Sequence, residues 1–206
     1  PNPLRKLLDE GKPSIGTHVM VSWPGIVEMI GHTGAIDYVE LVAEYVPFDL
    51  EGLENFGRAV DLFDHMTSMI KVDQEPRTFI AGRAIGSGIQ NVLFADVRTV
   101  EEARECVAAV RAETPQTRGH HGSGDRRFAG YFLESGSPAY VQALEDSVVA
   151  LMIEKREAVE DLEAILSVEG IDMVVFGGGD YSMSIGKPGA AATPEVQAVR
   201  EYVYKT

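Results

Sequence analysis

The chain has 206 residues, 45% of them apolar and 24% charged, and a formal net charge of −14. That length and apolar share support one substantial hydrophobic core without a second domain, and the acidic balance argues against nucleic acid and anionic membrane as general partners. The single cysteine, Cys106, is at odds with a secreted disulfide scaffold and reads as a small buried hydrophobe, and with neither a spanning apolar run nor a signal peptide a cytoplasmic protein is the default expectation.

After an amphipathic opening, LRKLLDEG, residues 14–20 read as a first strand and 24–32 as a helix starting near Ser22. Residues 37–43, DYVELVA, form a second buried strand; 49–63 are helical, with Leu50, Leu53, Phe56, Val60 and Phe63 near a 3.6-residue period. A third strand over 67–72, a helix over 76–85, a fourth strand over 88–94 and a helix over 99–111 follow, the last opened by a Thr99/Glu102 capping box. Strand and helix alternating in this way predict a parallel sheet with helical crossovers. Residues 114–136 break the pattern in a stretch rich in Gly, His and Arg. It reads as a mobile loop, either a cationic lid for an anionic substrate or a solvated surface loop. A helix over 138–145 follows, and the tail, 193–204, is a last helix with Thr193 as cap and Pro194 at its first position.

Residues 147–182 hold the densest signal. An apolar run over 148–153 stops at Glu154, a helical pattern follows, and a second apolar run over 173–176 leads into Gly177, Gly178, Gly179 and Asp180. Two parallel strands joined by one crossover end on the same sheet edge, so Glu154 and Asp180 are expected to converge there. Convergent carboxylates suit a hard divalent ion whose other ligands are water and substrate oxygens; two solvated acids would show the same spacing. The glycines free the backbone before Asp180, as a loop requires when its N–H groups approach an anionic ligand.

MIEKREAVEDLEAILSVEGIDMVVFGGGDYSMSIG resembles the segment of the HpcH/HpaI class II aldolases, within the pyruvate/phosphoenolpyruvate-binding barrel superfamily, in which (Q)IE(T)REA supplies one metal ligand and a later G(P)ADLS the other. Glu154 and Asp180 fall on those ligands, and Ile153, Arg156, Glu157, Ala158 and Ser182 also fit. GTHVM, EYVPFDLE, VRTVEEARECV and TRGHHG extend the resemblance over nearly the whole chain. It implies an α/β fold, a TIM (β/α)8-type barrel, and a homo-oligomer built on dimers, up to a hexamer, with the last helix exchanged between subunits. Only six strands are evident in the sequence, and a barrel needs two more strand and helix pairs. Either a C-terminal segment is lacking from this sequence or the chain is an open sheet whose missing wall comes from elsewhere; the favoured expectation is one barrel domain incomplete at its C-terminus, because an open sheet would expose the edges of its first and sixth strands.

The resemblance also implies a metal-dependent carbon–carbon lyase that cleaves a 2-oxo acid to pyruvate, or a close relative, and an aldehyde. A divalent ion, Mg²⁺ first and Mn²⁺, Co²⁺ or Zn²⁺ as alternatives, would chelate the 2-oxo acid and stabilise its enolate. Glu44 falls on the acid that supports the metal through water, and Pro47 fits as well. Three positions depart from the family: Tyr45 stands for the proton-transferring histidine, Val42 for its aspartate, and Lys71 for the arginine that anchors the substrate carboxylate. Strand five also has Met152 in place of the usual glutamine. Tyrosine is a poor base at neutral pH, and lysine anchors a carboxylate as a point charge without a bidentate fork. Tyr45, Lys71 and Glu44 are thus the candidate catalytic residues, and Lys71, Gly178, Gly179 and Asp180 the candidate substrate contacts. Lys71 also permits a Schiff-base reading. His120 or His121 is a possible replacement base, and His18 and His32 are expected to be structural. The altered dyad leaves two alternatives open: condensation or decarboxylation at the same site, and non-catalytic binding of a 2-oxo acid.

Overall fold

The computed structural model describes residues 2–206. One sheet of parallel strands, hydrogen-bonded in chain order, organises it: β1 (Gly16–Val19), β2 (Tyr38–Val42), β3 (Thr67–Val72), β4 (Asn91–Phe94), β5 (Val149–Ile153) and β6 (Met173–Phe176). Each strand is followed by helix, namely α2 (Pro24–Gly31), α3 (Leu50–Val60), α4 (Arg77–Ser87), α5 (Val100–Ala108), α7 (Arg156–Glu160) with α8 (Leu162–Leu166), and α9 (Gly178–Ser184). Helix α1 (Pro3–Asp9) precedes the sheet, α6 (Pro138–Glu145) leads into β5, and α10 (Pro194–Lys205) ends the chain. β3, α6 and β6 have the bounds the sequence predicts.

Side chains alternate across a strand, so the pairing register sorts them onto two faces. Val39, Leu41, Ile70, Val72, Phe94, Leu151 and Ile153 meet the helices in the main core. The opposite, inner face carries His18 beside Glu40, Val42 beside Lys71, Leu93 beside Ala150, and Met152 beside Val175. β3 and β4 are buried throughout, whereas the edge strands β1 and β6 are largely half-buried or exposed. Local chemistry starts the helices where expected: the side chains of Asp49, Thr99, Ser137 and Thr193 each accept a backbone N–H of the first turn of α3, α5, α6 and α10.

Helix α1 closes the N-terminal end of the inner face. Leu4 is fully buried in a cluster with Met69, Leu93, Val148 and Ala150, and Asn2 donates to Asn91 Oδ1 at 2.7 Å and to the Asp146 carbonyl at 2.9 Å. Truncation there leaves a cavity, so Leu4→Ala should cost about 2–5 kcal/mol in urea unfolding. A cost under about 1 kcal/mol would show that α1 does not seal this end.

Three expectations are corrected. Residues 178–184 form helix α9 and not a free loop, because packing against α10 and the turn at 190–192, with Tyr181 against Phe176 of β6, overrides the poor helix propensity of glycine. The crossover between β5 and β6 is two short helices, broken at Asp161. Residues 114–136 are not a lid over the C-terminal strand ends. They join α5 to α6 and lie against the outer helices: Arg126 donates to the Gly82 carbonyl at 2.7 Å, and Arg127 donates to the Ser87 carbonyl at 3.0 Å and pairs with Asp61. A segment that leads from a helix to the next strand is delivered to the N-terminal edge of the sheet, away from the side on which barrel chemistry is built.

Candidate active site

The C-terminal edge gathers the charged inner-face residues. β5 turns Ile153 toward the helices and the next residue, Glu154, inward, where it is only 2% exposed. Glu154 Oε1 accepts the Asp96 N–H at 2.8 Å. A Cβ at Gly177 would lie 2.4 Å from Glu154 Oε2, so the carboxylate fits only beside glycine. Burial pushes the Glu154 carboxyl up to about 7; Asp180 adds to the rise, while the Asp96 N–H and the Lys71 charge oppose it.

Asp180 sits in the first turn of α9, preceded there by Gly178 and Gly179, and is about half exposed. Lys155 Nζ lies 3.7 Å from its Oδ1 and forms a closer ion pair with Asp96, whose backbone is left-handed (φ 58°). Burial pulls the Lys155 ammonium down, but Asp96, Asp180 and Glu154 together hold it above the usual lysine range. Glu154 and Asp180 thus share one electrostatic neighbourhood, as the strand–helix–strand pattern leads one to expect. Asp96 and Lys155 were not anticipated as part of it. Asp96 obeys the same rule of an acid just past a strand end, which could have singled it out, and Lys155 adjoins Glu154 in sequence.

A second cluster stands beside the first. Lys71 is 4% exposed; its Nζ pairs with Glu44 and donates to the Tyr45 hydroxyl at 2.9 Å. Burial lowers its pKa, but the bonds to Glu44 and Tyr45 outweigh that and leave the ammonium above its ordinary value. A lysine held charged is a poor nucleophile, which argues against the Schiff-base reading. Glu44 and Tyr45 take two of the three ammonium donors and leave one for a ligand. Tyr45 itself is exposed, and Val42 is buried next to Lys71.

The histidines divide differently from expectation. His120 and His121 lie at the opposite end of the sheet, with the His121 ring against the Ala109 carbonyl at 2.8 Å, so neither supplies a base here. His32 stacks edge-on against Phe63, with centroids 5.1 Å apart, a structural role. His18, expected to be structural, lies instead on the inner face with its side chain 71% exposed.

Among the described residues no group of three or more His, Cys, Asp and Glu side chains forms a cage for a metal ion. The residues present nonetheless fit an ion of the magnesium type, which needs one or two protein carboxylates and takes water or substrate oxygens for the rest. The desolvated Glu154 carboxylate next to Asp180 is such a donor set.

The family model for HpcH/HpaI aldolase/citrate lyase matches residues 58–206. The chain is 30% identical over 200 residues to a 2-keto-3-deoxy-L-rhamnonate aldolase of Salmonella gallinarum, covering 97% of this chain and 73% of that protein. It is 29% identical to a 4-hydroxy-2-oxovalerate aldolase of Rhodococcus jostii, covering 95% and 73%. The crystal structure of an HpcH/HpaI aldolase from Desulfitobacterium hafniense superposes with a TM-score of 0.83 at 27% identity, over 98% of this chain and 76% of that one. The six strand–helix units therefore take the arrangement of that barrel-like fold.

Proposed function

Because this chain belongs to the HpcH/HpaI aldolase/citrate lyase family and is an aldolase-type lyase, we propose that it cleaves a 4-hydroxy-2-oxo acid to a pyruvate-type 2-oxo acid and an aldehyde. The observation that carries this reading is the buried Glu154 beside Asp180, one step from the charged Lys71. A divalent ion held by Glu154 and Asp180, Mg²⁺ by the hardness of the donors, would supply Lewis-acid polarisation of the 2-oxo group. Lys71 offers its remaining N–H to the substrate carboxylate. Glu44 keeps that ammonium charged and fixed. The Tyr45 hydroxyl, accepting from Lys71, is free to donate its own hydrogen to a substrate oxygen. Lys155 balances Asp96 and Asp180 at the rim.

A second reading, condensation or decarboxylation of a 2-oxo acid at this site, is favoured by one observation: an exposed tyrosine stands where the family's base is expected. Both readings share the ion site. Calorimetric titration with Mn²⁺ should show that Glu154→Ala and Asp180→Ala each remove ion binding while the fold persists, since both residues lie past strand ends. Unchanged affinity in both variants would sink the assignment. Turnover of 4-hydroxy-2-oxo acids against oxaloacetate, with and without Mg²⁺, separates the two readings.

A further inference from the structure

We propose that His18, backed by Glu40, is the proton-transferring dyad of this lyase, taking the place of the pair that Tyr45 and Val42 do not form; the proposal rests on the lyase reading above. The two residues are register partners on β1 and β2 and project from the same inner face as Lys71. His18 Nε2 lies 3.3 Å from Glu40 Oε1. Glu40 is 3% exposed, in the middle of an otherwise apolar strand, where an acid costs stability unless something uses it. The ring itself is open to solvent, and with Nε2 turned to Glu40 its Nδ1 has no hydrogen-bond partner among the described residues. A buried carboxylate that orients an accessible imidazole is the arrangement by which a histidine is held in one tautomer for proton transfer.

The positions are consistent with one substrate spanning both clusters. Burial raises the Glu40 carboxyl, and the charges of His18 and Lys71 lower it; Lys71 also acts on Glu154. On β3, Lys71 stands between the strands of the dyad, β1 and β2, and β5 and β6, which lead to the acid pair. With the substrate carboxylate on Lys71, the C4 hydroxyl is the group left for His18. Nδ1 takes the hydroxyl proton, and the O–H electron pair becomes the second bond of the new aldehyde carbonyl. The C3–C4 bond breaks, and its electron pair passes to C3, giving the enolate of the 2-oxo acid. The imidazolium then returns its proton to C3, which yields the 2-oxo acid and a neutral histidine. Proton and electrons balance with no further reactant.

The test uses the full chain with saturating Mn²⁺. His18→Gln should lower kcat for cleavage by about 10²- to 10⁴-fold, the usual contribution of a positioned acid–base group, while the affinity for pyruvate, measured by calorimetry, stays within a factor of about 3. Glu40→Gln, a change to a positioning residue, should give a smaller loss of kcat with the same unchanged affinity. In His18→Ala, added imidazole should restore part of the lost rate, which a merely structural role would not allow. Wild-type turnover with His18→Gln cleaving at the wild-type rate would overturn the dyad and leave the lyase reading intact. A wild type inert toward every 4-hydroxy-2-oxo acid, or a fully active Glu154→Ala, would overturn the reading and the dyad with it.

Discussion

Glu154→Gln should abolish turnover, by at least about 10²- to 10³-fold as for loss of a preorganised charge-stabilising group, and should make the ion-free protein more stable above neutral pH. The folded protein holds the Glu154 carboxyl at about 7 against an ordinary 4.5. A group whose acid form is favoured by folding binds its proton more tightly folded than unfolded, so stability falls as pH rises from 4.5 and the loss is complete above about 7. At 1.36 kcal/mol per pKa unit that loss is about 3 kcal/mol. Glutamine carries no charge, keeps an oxygen for the Asp96 N–H and escapes it. Urea midpoints in chelator should coincide for variant and wild type below pH 4.5 and diverge across the window, with added divalent ion narrowing the gap for the wild type alone. A variant that tracks the wild type at every pH would refute the desolvated-acid account.

Lys71→Met should be the most damaging change on the other cluster. It strands the Glu44 carboxylate, which is only 16% exposed, and removes the counter-charge that Glu40 and Glu154 both feel. Breaking a mostly buried pair from one side costs about 3–5 kcal/mol, and kcat/KM should fall by at least about 10²-fold through a weaker hold on the substrate carboxylate. The double variant Lys71→Met with Glu44→Gln should recover most of the stability and none of the activity, whereas Lys71→Arg, which keeps a charge, should retain measurable activity. If Lys71→Met binds pyruvate as tightly as the wild type, Lys71 is not the anchor.

Much of this architecture is legible in the chain itself. Buried parallel strands leave uninterrupted apolar runs, and VVALMI and MVVF are such runs. The acid pair is legible because the crossover rule sends both strand ends to one edge. The His18–Glu40 pair is not, since it depends on the register between two strands, and nothing in either strand alone fixes which residues stand level. Glu40 was visible only as an acid interrupting DYVELVA, a signal that asks for a partner without naming it. Helix α9 was hidden because three glycines argue against helix and only tertiary packing reverses them. The segment 114–136 misled by composition, although its place after a helix and before a strand already assigned it to the other end of the sheet.

The closeness of Gly177 to Glu154 ties two positions that lie just past the ends of neighbouring strands. Any side chain at 177 would begin 2.4 Å from the carboxylate oxygen and 2.7 Å from the Glu154 Cβ, so a residue larger than glycine there would force the acid to shift. A lineage that lost the acid would be free to fill the glycine, and one that filled the glycine would have displaced the acid. Among related chains the presence of both is then a better marker of a working site than either residue alone, and a mismatch at one should foretell drift at the other.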